Sequence, residues 1–248
     1  MNILGLADLH GRIPKLPANI RGSHIDLLAF CGDCVPNFDA NWNLKSHPRQ
    51  CDVAKEAPAQ QAWVEDRLLP WVAKEFSDVT NILYLAGNHC FFDPEKIKGI
   101  IGLKTGSRTL TINGTKIGLL AGSMPLIGEW SDEVDDFEMN SRILNIEPNI
   151  EILFSHVPPL GIMDRSWSGQ LIGCKSLRDA CLGITSFGEV IEKPWFTKLQ
   201  HHFYGHCHET RGSEVHEVDD RKIMFHNVAE TYSTLEHQHQ SRVAFHSK

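Results

Sequence analysis

Asn2-Ile3-Leu4-Gly5-Leu6-Ala7-Asp8-Leu9-His10 opens the chain as an apolar run that ends abruptly at Asp8 and His10. The pattern returns three times. Asp26-Leu27-Leu28-Ala29-Phe30-Cys31 ends in Gly32-Asp33, Asn81-Ile82-Leu83-Tyr84-Leu85-Ala86 in Gly87-Asn88-His89, and Ile150-Glu151-Ile152-Leu153-Phe154-Ser155 in His156. Near-continuous apolar runs of this length read as strands buried on both faces. A polar, metal-capable residue directly after each run is the arrangement expected where loops at the carboxyl ends of strands build a site.

Between the second and third runs, Ala57 to Phe76 is rich in helix formers, with Trp63, Leu68, Leu69, Val72 and Phe76 in a stripe. Pro70 inside it predicts a kink or two helices. Thr109 to Leu120 reads as a hairpin, with Asn113-Gly114 as a type I′ turn. A second hairpin is expected from Glu214 to His226, turning near Asp219-Asp220. Hairpins mixed with strand–helix alternation indicate α/β layers rather than a purely doubly wound sheet. No repeat, low-complexity tract or linker divides the chain. One domain is therefore expected over residues 1–236, followed by a polar, His-bearing tail over 237–248 whose structure the pattern does not specify.

A single α/β domain of 248 residues is ordinary, and 42% hydrophobic with 22% charged residues is a globular composition. The net charge of −7 argues against a nucleic-acid coat or an anionic membrane surface, because phosphate attraction needs Lys and Arg. The first residues carry neither a basic segment nor a long apolar one, so no signal peptide and no membrane span is expected. The seven cysteines form no even framework and read as free thiols in a reducing compartment, the cytoplasm. Cys31-Gly32-Asp33-Cys34 is formally a C-x-x-C, but no redox context surrounds it. Cys174 and Cys181 read as core thiols, and His201 and His202 as surface or packing residues.

The chemistry lies in the residues that end the runs: Asp8 and His10, Asp33, Asn88 and His89, His156, then His206 and His208 in Gly205-His206-Cys207-His208. Singly, each has a bland reading as a turn residue or surface histidine. Their joint occurrence at strand ends argues otherwise. Imidazole nitrogen and carboxylate oxygen suit Mn, Fe, Zn, Co or Ni, not Ca. So many donors exceed what one ion takes. Two ions about 3.5–4 Å apart, sharing a carboxylate, would use them all.

In this order the blocks resemble the calcineurin-like metallophosphoesterase family, whose pattern runs D-x-H, G-D-x-x-D or N, G-N-H-D or E, H, and G-H-x-H. The resemblance spans Ile3 to His208. It implies a four-layer α/β sandwich of two mixed β-sheets flanked by helices, with the site at one end. It implies two divalent ions, the first held by Asp8, His10, Asp33 and His208. Asp33 would bridge to the second, held with Asn88, His156 and His206. A shared water, acidified by both ions, would attack phosphorus in line. His89, beside Asn88 but not a ligand, would donate a hydrogen bond or proton to the phosphate or leaving group.

Ser155-His156-Val157-Pro158-Pro159-Leu160-Gly161, with Asp164, Gly173-Cys174, Leu177 and Tyr204-Gly205-His206-Cys207-His208-Glu209, is similar to the MPPED (metallophosphoesterase-domain-containing) branch. That branch implies hydrolysis of a small cyclic or nucleotide phosphodiester. The alternatives are a phosphomonoesterase or protein phosphatase, a nuclease, or an inactive scaffold. Gly32-Asp33-Cys34-Val35-Pro36-Asn37 lacks the acidic-Arg-Gly continuation of the protein phosphatases. Two positions depart from the pattern. Pro36 stands three after Asp33, with Asn37 one place later, and Cys90 follows His89 where Asp or Glu is usual. An acidic neighbour would orient His89, so its absence weakens the expected acid. Arg12 and Arg165 are the candidate substrate contacts, with Trp167 in the same loop as Arg165.

Overall fold

In a computed structural model, residues 1–38, 51–76, 78–126, 130–183, 193–218, 220–236 and 242–245 are described. The strands are β1 (Asn2–Leu6), β2 (Leu27–Cys31), β3 (Asn81–Leu85), β4 (Ile101–Leu103), β5 (Ser107–Ile112), β6 (Thr115–Leu120), β7 (Ile152–Ser155), β8 (His201–Tyr204), β9 (Gly212–Val218), β10 (Arg221–Asn227), β11 (Tyr232–Glu236) and β12 (Arg242–Phe245). The α-helices are α1 (Val53–Trp63), α2 (Leu69–Glu75), α3 (Asp136–Leu144) and α4 (Lys175–Leu182). One sheet has the order β12-β11-β1-β2-β3-β4 and the other β5-β6-β7-β8-β10-β9. Both are mixed. The pairings β1–β2, β2–β3, β3–β4 and β6–β7, β7–β8, β8–β10 are parallel, and the pairings β1–β11, β11–β12, β5–β6 and β9–β10 are antiparallel.

Alternation along the strands builds the layers. Ile3, Leu27, Ala29, Leu83 and Leu85 of the first sheet meet Ile117, Leu119, Ile152, Phe154 and Phe203 of the second in one buried cluster. Their neighbours Leu4, Leu6, Leu28, Phe30 and Tyr84 face Val64, Leu68, Val72 and Phe76 of the first helical layer. On the far side, Leu120, Leu153, Tyr204 and Phe225 pack on Met139, Ile143, Leu177 and Cys181 of α3 and α4. Three apolar interfaces separate four layers, which is the expected sandwich. Apolar runs were needed at β1, β2, β3 and β7 because both faces of each are covered.

The Ala57–Phe76 stripe splits as Pro70 requires. A π-helical turn at Val64–Leu68 joins α1 to α2, and Pro70 follows it as the second residue of α2, so the widened turn falls just before the proline. Ile112 pairs with Thr115 across Asn113 (φ 50) and Gly114 (φ 80), the expected type I′ turn. The second hairpin is β9–β10, closing with Arg221 opposite Val218; Asp219 lies outside the described residues. Arg242–Phe245, in the segment whose structure the pattern left unspecified, adds a strand against β11, while His237, His239 and His246 lie outside the described residues.

His201 and His202 are not at the surface; both are buried packing residues. Ser155 gives its one hydroxyl hydrogen to Val157 O (2.7 Å), so His202 Nε2 donates to Ser155 Oγ (2.7 Å). Burial holds the His202 pKa down at about 3. The unfolded chain takes up this proton below an ordinary pKa near 6.5, and the folded chain does not. Stability is therefore fully present above pH about 6.5 and falls as the pH drops toward 3, by up to about 1.4 kcal/mol per pH unit. Urea midpoints at pH 6.5 and pH 5 should separate less in His202→Phe than in the parent protein. Equal separations would contradict a buried neutral histidine.

Candidate metal centre

The loops after β1 and β2 run side by side. Asp8 N donates to Gly32 O (3.0 Å), His10 N to Asp33 O (3.0 Å) and Gly11 N to Cys34 O (2.9 Å). This pairing brings Asp8 and His10 beside Asp33. From the second sheet, His206 N donates to Asp8 Oδ2 (2.8 Å), and His156 Nδ1 donates to Cys31 O (2.9 Å). Asp8 (φ 53), His10 (φ 44), Asp33 (φ 51) and His206 (φ 71) all occupy the left-handed region. That conformation is costly for residues with a Cβ and concentrates at functional sites. Gly32 and Gly205 make the crowding possible. A Cβ on Gly32 would lie 2.3 Å from His156 Nδ1, and one on Gly205 would lie 2.2 Å from Asp8 Oδ2.

Two overlapping ligand groups result. Asp8, His10 and His208 form one and Asp8, Asp33 and His156 the other, each with ligand atoms within 4.8 Å of one another. His208 Nε2 is 3.3 Å and His10 Nε2 4.0 Å from Asp8 Oδ1. His156 Nε2 lies 3.1 Å from Asp33 Oδ2, 3.0 Å from Asn88 Oδ1 and 3.2 Å from His206 Nδ1. With Nδ1 of His156 donating to Cys31 O, its Nε2 is the atom that faces Asp33 Oδ2, Asn88 Oδ1 and His206 Nδ1, and without a proton it would add a fourth lone pair to that group. Four lone pairs facing one point repel unless a positive species sits among them. Donors about 2.0–2.2 Å from one cation are themselves about 3.0–3.5 Å apart. The residues present therefore fit a metal, in number, element and spacing.

The electrostatics agree. Burial opposes a charge on His156, but the Asp33 and Asp8 carboxylates outweigh it and lift its pKa to about 9. Burial, with His156 beside it, pushes His206 down to about 3, and its buried Nε2 has no hydrogen-bond partner among the described residues. Burial opposes ionisation of Asp33 too, but His156 and His89 hold its carboxyl well below the usual range. A proton on His156 thus occupies the electrostatic place of a cation, and a metal bound there would displace it.

His89 stands beside this set without joining either group. Its backbone N–H donates to Asp33 Oδ1 (2.8 Å). Its Nδ1 meets the amide of Asn37 (3.1 Å to Nδ2), and its ring lies against Trp130 with centroids 3.9 Å apart. Asn37 Oδ1 is 3.3 Å from the same nitrogen; with Nδ2–H donating to Nδ1, the ring proton is on Nε2. Burial pushes the His89 pKa down to about 4. Asn37 therefore orients the ring from one place beyond Pro36. Cys90 instead turns its thiol to Asp33 Oδ1 (3.7 Å). Neither Asn37's contact nor Trp130 was legible in the motifs, since both depend on loops distant in sequence from His89.

Arg12 donates to Glu230 Oε1 (2.6 Å), and Arg165 to Gly169 O of its own loop (2.7 Å). Trp167 is 86% exposed. A cavity of about 780 Å³, lined by Lys116, Glu151, His201, Arg221 and Met224 among others, opens where β6, β7 and β8 begin, at the opposite ends of the strands from the ligands. Among the described residues no helix is long and apolar enough to cross a membrane.

Residues 1–210 match the model of the calcineurin-like phosphoesterase family. No curated protein matches the chain. One solved structure, 15% identical, aligns with a TM-score of 0.55 over 98% of each chain, a likeness of fold. The Mycobacterium tuberculosis phosphopantetheinyl hydrolase PptH is 12% identical, with a TM-score of 0.44 over 92% of this chain and 88% of its own. The Haemophilus influenzae NAD nucleotidase NadN is 12% identical, with a TM-score of 0.47 over 98% of this chain and 54% of its own. With its ordered motifs, four-layer sandwich and convergent donors, this chain belongs to the calcineurin-like phosphoesterase family of metal-dependent phosphoester hydrolases.

Proposed function

We propose that the protein is a phosphodiesterase acting on a small cyclic or nucleotide phosphodiester with two divalent transition-metal ions. The observation that carries this reading is the convergence of Asp33, Asn88 and His206 on His156 Nε2 at 3.0–3.2 Å. Asp8, His10, Asp33 and His208 would hold one ion; Asp33, Asn88, His156 and His206 the other. When bound, the pair supplies Lewis-acid polarisation of phosphoryl oxygens and acidifies water for attack near neutral pH. The chain's own part is to orient and to donate. Asn37 fixes the His89 ring so that Nε2–H is available to the phosphate or leaving oxygen. A neutral imidazole is a weak acid, which favours esters whose leaving group needs little protonation.

The partner is a small phosphoester. The net charge of −7 disfavours a nucleic-acid polymer, and seven free cysteines suit the cytoplasm. Metal analysis with paired rates on bis(p-nitrophenyl) phosphate and p-nitrophenyl phosphate tests the proposal. About two ions per chain and faster diester hydrolysis are expected. Faster monoester hydrolysis would replace the diester assignment, and a metal-free protein would remove the mechanism.

A further inference from the structure

Glu230 gathers three cationic or metal-facing groups at the edge of the site. Arg12 Nη2 lies 2.6 Å from its Oε1, Arg211 Nη1 3.5 Å from its Oε2, and His208 Nδ1 3.5 Å from its Oε1. The other nitrogen of His208 faces Asp8 Oδ1 at 3.3 Å. Glu230 is itself pinned. It adopts φ 51, and its N–H donates to Ala7 O (3.1 Å), the residue before Asp8. Both arginines ride on ligand loops: Arg12 follows His10 by two residues, and Arg211 follows His208 by three.

One carboxylate cannot neutralise two guanidinium groups. Their side chains are 70% and 48% exposed, so each keeps donors toward solvent. Glu209 makes no ion pair with either arginine among the described residues. In a chain with a net charge of −7, two guanidinium groups sharing one carboxylate thus stand at the rim of the metal centre. Guanidinium groups present paired N–H donors that match phosphate and carboxylate oxygens.

We propose that Arg12 and Arg211, held by Glu230, form an anion subsite that selects phosphoesters carrying a second phosphate away from the scissile bond. This rests on the phosphoesterase reading of the adjoining centre and adds a substrate class to it. Arg12 and Arg211 bind that second group; Glu230 is a positioning residue that sets the two guanidinium groups and the His208 ring.

The test uses the metal-loaded enzyme and two matched esters, thymidine 5′-(p-nitrophenyl phosphate) with and without a 3′-phosphate. The reacting groups are identical, and only the remote anion differs. The 3′-phosphate should raise kcat/KM about tenfold or more, as one charge-assisted contact allows. Arg12→Ala/Arg211→Ala should retain metal content and bring that ratio to about one. Arg211→Gln alone should lower the ratio in part. A ratio near one in the parent enzyme, or one that survives in the double variant, overturns the subsite. Calorimetric binding of thymidine 3′,5′-bisphosphate against thymidine 5′-monophosphate separates this failure from that of the phosphoesterase reading. Tighter bisphosphate binding that the double variant loses, with neither ester hydrolysed, sinks the activity and keeps the subsite. Turnover with equal binding does the reverse.

Discussion

Asp33→Ala should lower kcat/KM by at least about 10³-fold and strip most of the bound metal. The side chain has no substitute. Its Oδ2 lies 3.1 Å from His156 Nε2, and its Oδ1 accepts from His89 N (2.8 Å) and the Cys90 thiol (3.7 Å). Without it, His156 loses the carboxylate that contributes most to lifting its pKa, and the His89 amide loses its acceptor. Asp33→Asn separates charge from shape, since it keeps an oxygen for these donors but not the negative charge. It too should lose metal, as measured by mass spectrometry after dialysis. Full occupancy in both variants would remove Asp33 as the shared ligand and transfer that role to Asp8, which stands in both donor groups.

His89→Ala should keep its metal and lose rate by about 10²–10⁴-fold, the range for a positioned proton donor. The loss should be greatest on esters with poor leaving groups and small on nitrophenyl esters. The ring touches Asn37, Trp130 and, edge-on at 4.9 Å, the ring of His10, while the backbone amide that serves Asp33 stays in the variant, so the carboxylate donors keep their places. A plot of rate against leaving-group pKa for parent and variant measures this; a variant with depleted metal would show that His89 is a ligand.

The layers were legible because burial on both faces leaves a strong trace. Leu27 to Cys31 is apolar at every position since Leu28 and Phe30 face helices while Leu27, Ala29 and Cys31 face the other sheet. Asn113-Gly114 was legible because a two-residue turn with positive φ admits few residues. The seven expected ligands were legible as strand-end motifs, and they do converge. The shell around them was not. Asn37 reaches His89, and Glu230 reaches His208, only through chain crossings that no local pattern encodes. His201 and His202 were readable only as surface or packing residues; burial decides for packing, with Ser155 Oγ as a buried partner for His202.

Asp8, His10, Asp33 and Asn88 follow strands of the first sheet, while His156, His206 and His208 follow strands of the second. Cations gripped by both sets would act as a clasp across an otherwise apolar seam. Loading would then slow the parting of the two halves, so a chelator should expose the seam to proteases long before any helix unravels.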